Sequence, residues 1–398
     1  MALFRALRLV AILSFLSLVS ASPSVLKKRA TCTVSSAGNA GTDDVPAIEN
    51  AIKSCGNGGI VVLSAGKTYM IRSTLDFTGC SGCEVQIEGT LKLSDDTNFW
   101  NGARAAILLT NLNGATVHSK TGSGVVDGNG VPFWQKFASD SSFKRPTLMY
   151  ISGGSNIVVE NLYFKNAPNV FHSVTDGATN VIYRGLKLNA TPKDGAVPKN
   201  TDGFDVGKST YVTISNTNVV NQDDCVAFKP GCNYVTVTDI TCTGSHGLSV
   251  GSLAKGSNDI VTNVIVNGAT MIDSTKATGI KLYDGASGHG VATVRNVTFQ
   301  DVTVQNCEYA AQIQSCYSSS GTCVASKHTI DQVYWKNIRG TTATKFDPTV
   351  ANMNCPSSGT CNIFFQDFTV KAPSGKANVL CSAVDSNLGV SCSGNASG

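Results

Sequence analysis

Apolar and polar residues alternate along most of this chain in short runs. NIVVENLYFKN (156–166), NVIYRGLKLNA (180–190), YVTISNTNVVN (211–221), YVTVTDITCTG (234–244), NVIVNGATMID (263–273) and NVTFQDVTVQN (296–306) share one pattern. Each is an alternating strand, a turn holding Asn, Asp or Gly, and a second strand. Alternation with period two marks a strand with one buried and one solvated face. The starts lie 24, 31, 23, 29 and 33 residues apart. No helical periodicity separates them, which excludes βαβ units. A propeller blade needs about four strands in 40–50 residues, more than these repeats hold. Short strands repeating at this period predict an all-β solenoid, and a parallel β-helix fits best.

A solenoid exposes its core at each end and needs a cap. DDVPAIENAIKSC (43–55) predicts one. Val45, Ile48, Ala51, Ile52 and Cys55 fall on one helical face, with Pro46 near the helix start. The tail from about Cys355 is rich in Cys, Ser and Gly and predicts an irregular, disulfide-pinned lid. Residues 1–21 read as a secretory signal. Arg5 and Arg8 precede a mostly apolar stretch, and Val19-Ser20-Ala21 is a small-residue cleavage site. That stretch is short for a membrane span. Residues 22–29 end in the dibasic Lys28-Arg29 and read as a propeptide. Residues 30–398 then form one domain with no linker, and the protein is expected outside the cell, as a monomer.

Composition narrows the function. Charged residues are only 15% of the 398, and the net charge is +4. No Lys/Arg cluster occurs beyond Lys27-Lys28-Arg29, which argues against nucleic-acid binding. A mildly basic surface still suits a polyanionic substrate. Fourteen cysteines in a secreted chain point to disulfides. Short spacings suggest Cys80/Cys83, Cys225/Cys242, Cys316/Cys323, Cys355/Cys361 and Cys381/Cys392, with Cys32/Cys55 holding the N-terminus. Cys232 and Cys307 are left over as buried thiols. No CxxC…CxxC pair exists, so no zinc site is expected. Sequons at Asn189, Asn296 and Asn395 mark surface positions for glycans.

The candidate chemistry lies in three consecutive repeats. NTDGFDV (200–206), NQDDC (221–225) and GSHGLSVGS (244–252) place Asp202, Asp224 and His246 at intervals of 22 residues. Coils of that length stack such residues in one column, with neighbours roughly 4.8 Å apart. Asp202, Asp223, Asp224 and His246 should therefore converge. Carboxylates so close repel, and at least one pKa should rise, as a general acid beside a base requires. Asp in a β-helix is often only a turn or ladder residue, and a lone His is more often structural. The shared register across three coils is what favours chemistry. Asp205 reads as structural, and His118, His172, His289 and His328 as scaffold or groove residues. Lys281 lies about one longer coil beyond His246, Lys229 is close by, and Tyr317 has the character to stack on a sugar ring.

These segments, with the stretch around Lys281, resemble the four signature segments of family 28 glycoside hydrolases, the pectinases. GSGVVDGNGVPFWQKF (122–137) resembles the upstream G-x-I-D-G-x-G stretch of that family. The resemblance runs from about residue 40 to the C-terminus. It implies a right-handed parallel β-helix that hydrolyses α-1,4 galacturonosyl bonds with inversion and without a metal or other cofactor. It implies Asp223 as general acid, Asp202 and Asp224 as activators of water, His246 as assistant to the acid, and Asn200, Lys281 and Tyr317 as substrate-binding residues. Carboxyls one coil apart would sit closer than the usual inverting separation of about 6.5–9.5 Å; inversion is expected because no carboxylate stands opposite the acid as a nucleophile. The family's fourth segment usually reads Arg-Ile-Lys, where this chain has Gly279-Ile280-Lys281. Losing that Arg removes a bidentate carboxylate contact and should open room at Gly279. The SHG form and GTTATKFDP (340–348) resemble fungal exopolygalacturonases and xylogalacturonan hydrolases more than endopolygalacturonases. The expected activity is endo-hydrolysis of xylose-substituted galacturonan in acidic plant cell-wall polysaccharide, with exopolygalacturonase as the alternative. Two readings of other classes are a calcium-dependent pectate lyase, with calcium on Asp202, Asp223 and Asp224, and a glycan-binding β-helix without activity.

Overall fold

The computed structural model describes residues 29–385 and 387–398. The expected signal segment and all of the expected propeptide but Arg29 lie outside the described residues. Arg29 pairs with Glu84 at 2.6 Å.

Alternation turns directly into stacked columns. Val212, Val235, Val264 and Val297 follow one another in register, all buried, as successive coils pair in parallel. One sheet holds 17 strands and a second holds 11, forming the parallel β-helix that the repeats predict. Aromatic rings stack along the bore: Phe299, Trp335 and Phe365 lie at centroid distances of 5.7 and 5.0 Å with nearly parallel planes. Such stacked rings bury large apolar areas and dominate the core energetics. The long strands bend at a column of left-handed residues. Asn216, Asp239, Asp301, Asn337 and Asp367 have φ between 50° and 54°, and Gly268 has 80°. Asn, Asp and Gly tolerate that conformation best, which is why the repeat carries them between its half-strands.

The cap is helix α1, Val45–Cys55, which buries Val45, Ile48, Ile52 and Cys55 and is tied to Cys32 by a disulfide. A second helix, α2 (Val131–Ser139), was not expected; Phe133 and Trp134 bury its inner face, and the Trp134 indole donates to the Ala167 carbonyl. The C-terminal tail differs from the expected irregular lid. Thr360–Lys371 and Asn378–Ser382 are regular strands that continue both sheets. Here the β-pattern of NIFFQDFTV outweighs the Cys- and Ser-rich composition around it.

All six expected disulfides form, and Cys232 and Cys307 are buried free thiols. Cys225 and Cys242 are fully buried, and their bridge ties two adjacent coils beside the candidate site. Asn296 and Asn395 are exposed, while Asn189 is half-buried. No helix among the described residues is long and apolar enough to cross a membrane.

Candidate active site

Strand register builds the site. Phe204, Val226 and Leu248 pair across three coils. Asp202, Asp224 and His246 each precede these by two residues and so share one column. Backbone bonds lock it: Gly203 N–H donates to the Asp224 carbonyl at 2.9 Å, and His246 N–H to the Asp223 carbonyl at 2.7 Å. Asp223, one residue out of the column, meets His246 Nδ1 at 3.1 Å and Asn200 Nδ2 at 3.3 Å.

The four carboxylates fall into distinct electrostatic settings. Asp202 and Asp205 share the Lys229 ammonium, at 3.6 and 3.4 Å. Burial and the neighbouring Asp205 charge push Asp202 well above the ordinary carboxylate range, against the pull of Lys229. Asp205 is raised too, chiefly by burial. Asp224 is 1% exposed and accepts from Lys281 Nζ at 2.6 Å. Its second oxygen, Oδ1, is buried and has no hydrogen-bond partner among the described residues. Burial also pushes Asp223 up, but the His246 hydrogen bond and charge, with Lys281, outweigh it and leave the carboxyl at about 2.

Two expectations therefore change. A raised pKa does occur among the aspartates, but on Asp202, not on the expected acid Asp223. Nor is Asp205 merely structural, because it lines the same cleft and sets the field at Asp202.

The column beyond His246 differs from the expected one. Leu248 pairs with Thr278, so the residue above His246 is Lys276, and Lys281 lies above Gly251. Coil lengths explain this: the coil after His246 is longer, as expected, but spans 30 residues, short of the 35 that separate His246 from Lys281. Gly279 does not open room for a sugar. A Cβ there would lie 2.7 Å from the Gln312 carbonyl oxygen and 2.7 Å from Lys276 Cδ, so the lysine chain already occupies that space. Lys281 and Tyr317 are brought together, the ammonium 5.5 Å from the ring centroid.

Sequence reasoning missed Arg145. Its guanidinium lies 3.8 Å from the Phe137 ring centroid and donates to Asn200 Oδ1 at 2.8 Å, fixing the amide that touches Asp223. Burial lowers its pKa to about 10, which leaves it charged. It follows α2 in a stretch with no motif, so no spacing pointed to it. Two other histidines have carboxylate partners after all: His118 with Glu84 and His289 with Asp284. His172 is buried beside Phe164, Tyr183 and Phe204, and burial lowers its pKa to about 3.

Asp202, Asp223, Asp224, Arg145, Lys281 and Tyr317 line an open, polar cleft of about 500 Å³. Asp223, Asp224 and His246 offer donor atoms within 4.8 Å of one another. Lys281 already pairs with Asp224 and His246 with Asp223, so the set is better matched to moving protons than to holding calcium.

The Asp224–Lys281 pair makes a direct test. Removing one partner of a buried pair leaves an uncompensated charge. Lys281→Met should cost roughly 3–5 kcal/mol in urea denaturation. Adding Asp224→Asn should recover much of that loss, and an unchanged midpoint in Lys281→Met would contradict the pairing.

Comparisons with known proteins agree with this geometry. The model of the family "Glycosyl hydrolases family 28" matches residues 55–392. The chain is 53% identical to a protein named endo-xylogalacturonan hydrolase A from Aspergillus tubingensis, over 100% of both chains. It is equally identical to a probable endo-xylogalacturonan hydrolase A from Aspergillus fumigatus, over 98% of this chain and 99% of the other. The crystal structure of endo-xylogalacturonan hydrolase from Aspergillus tubingensis superposes with a TM-score of 0.91 at 54% identity, covering 93% of this chain and 100% of that one. A polygalacturonase from Erwinia carotovora shares the fold at a TM-score of 0.66 and 20% identity, covering 92% of this chain and 99% of that one. A family match over most of the sequence and relatives identical at half of all positions lead to one conclusion: the chain belongs to family 28 of the glycosyl hydrolases.

Proposed function

We propose that this glycoside hydrolase cleaves α-1,4 galacturonosyl bonds within xylose-substituted galacturonan, by inversion, outside the cell. The column Asp202–Asp224–His246 with Asp223 beside it carries the hydrolytic reading. Full-length similarity to proteins named endo-xylogalacturonan hydrolase supports the substrate, and favours it over the exopolygalacturonase alternative. The open cleft, with Lys281 and Tyr317 on its floor, suits an acidic polymer.

In this mechanism Asp223 protonates the glycosidic oxygen. A carboxyl at about 2 holds little proton in the empty cleft, because His246 and Lys281 surround it with positive charge. Binding a polyanion offsets that charge and raises the proton affinity of Asp223 where the leaving oxygen sits. His246, at 3.1 Å, steadies the acid and can resupply its proton. Asp202 and Asp224 lie one coil apart in the column and orient the attacking water. Lys281 Nζ donates to Asp224 Oδ2 and holds that carboxyl in place. Asp202 must lose its proton to act as a base. The water attacks the anomeric carbon as the bond to the leaving oxygen breaks, and its proton passes to the carboxylates.

Asp223→Asn removes the transferable proton and keeps the shape. General-acid contributions are typically about 10²–10⁴-fold, so turnover on xylogalacturonan should fall at least that far with an unchanged melting temperature. Near-normal turnover in the folded variant would overturn the assignment. In the wild type, proton NMR of the first products should show the β-anomer. The pH profile carries a second test. Asp202 is raised by burial and by Asp205, and its ionised form is the active one, so activity falls as pH drops through its pKa. Asp205→Asn removes the repelling charge and should move this acidic limb of kcat to lower pH. A limb that stays or moves upward would remove Asp202 from the role of base.

A further inference from the structure

Three lysines cluster about this site, Lys276 and Lys281 buried and Lys229 half-buried, and two of them have carboxylate partners. Lys229 bridges Asp202 and Asp205, and Lys281 pairs with Asp224. Lys276 is 4% exposed, yet among the described residues its ammonium meets no carboxylate within salt-bridge distance and donates no side-chain hydrogen bond. Asp224, Asp223 and Glu308 favour its charge only from beyond pairing distance, so the fold leaves it without a direct counter-ion. Its chain runs over Gly279, whose missing side chain is what leaves room for it.

The ammonium serves a second cavity of about 420 Å³, adjoining the first across Lys281 and Tyr317. His246 lies one coil before Lys276, and Tyr309 one coil after. Tyr309 stacks on Phe346 at 4.6 Å with nearly parallel rings, forming an aromatic wall. The one acidic residue on this rim, Glu308, is taken by Lys345 at 2.8 Å. The cavity thus combines a cation without a direct counter-ion, an aromatic wall and polar side chains such as Gln312. An acidic sugar needs each of these.

We propose that this second cavity is a uronate subsite, in which the Lys276 ammonium binds the carboxylate of one galacturonate and the Tyr309–Phe346 pair packs along the ring or its branch. It rests on reading the cleft as a galacturonan site, and extends that site toward the C-terminal coils. Gly279 then contributes by absence: it lets a lysine from the preceding turn supply the positive charge.

The cation also titrates in a useful range. Burial, then repulsion from Lys281, lowers Lys276 to about 8, against the pull of Asp224, Asp223 and Glu308. His246, Tyr309 and Tyr317 are the other titratable groups facing this cavity. As pH rises through about 8 the ammonium loses its charge, and affinity for a carboxylate should fall.

The test is isothermal titration calorimetry in the inactive Asp223→Asn protein, with a galacturonate oligomer and with its methyl ester. Adding Lys276→Met should weaken binding of the acid oligomer roughly ten- to hundredfold and leave the ester unchanged. The denaturation midpoint should not fall, because an unpartnered buried charge has been removed; a structural lysine would lower it. Adding Lys276→Arg should retain binding and abolish the loss above about pH 8. Equal affinity for the acid oligomer with and without Lys276→Met would overturn the subsite. So would equal losses for acid and ester, or no binding of the acid oligomer to the parent. A wild type that binds through Lys276 but cleaves neither polygalacturonate nor xylogalacturonan would leave the subsite standing and remove the proposed activity. Normal cleavage with no effect of Lys276→Met would do the reverse.

Discussion

Parallel pairing in register is the constraint from which the rest of this site follows. Each coil must align its alternating face with the coil below, because a slip of one residue would turn every buried side chain outward. Val212, Val235 and Val264 hold that alignment from inside. Once Phe204, Val226 and Leu248 are in register, Asp202, Asp224 and His246 have no freedom to be elsewhere. The carboxylates are brought together by core packing, at positions where their own repulsion would separate them. The Cys225–Cys242 bridge holds the two coils concerned.

That crowding creates the electrostatic problem that the surrounding cations answer. Lys229 takes Asp202 and Asp205, Lys281 takes Asp224, and His246 takes Asp223. The partition separates the aspartates into different protonation behaviours: Asp202 is pushed up and Asp223 held down. Two kinds of carboxyl within a few ångströms are what acid–base chemistry at a single bond requires. Lys276 stands outside this internal pairing, which is why it is available to a ligand.

The column was legible in the sequence because two successive coils have the same length. Asp202, Asp224 and His246 recur at 22 residues, so arithmetic alone aligned them. The next coil is longer by an amount the sequence spacing does not give, so Lys281 was read as its member nearest His246 and Lys276 was missed. Aligning SHGLSVG with TKATGIK would have shown His246 over Lys276, since both segments carry the same buried strand. Arg145 was illegible for another reason: it enters from the segment after α2, outside the repeat. The protonation order of the aspartates was also out of reach, because it depends on which nitrogen or ammonium each oxygen meets. The solenoid, its helical cap and the disulfides were legible because they rest on local patterns.

The most direct test of the account is a crystal structure of the Asp223→Asn protein bound to a xylogalacturonan oligomer. The register argument predicts one galacturonosyl bond directly over residue 223, its bridging oxygen within roughly 2.6–3.2 Å of that side chain. It also predicts a water held jointly by Asp202 and Asp224 beneath the anomeric carbon. A scissile bond lying away from residue 223, or a water held by neither aspartate, would contradict it.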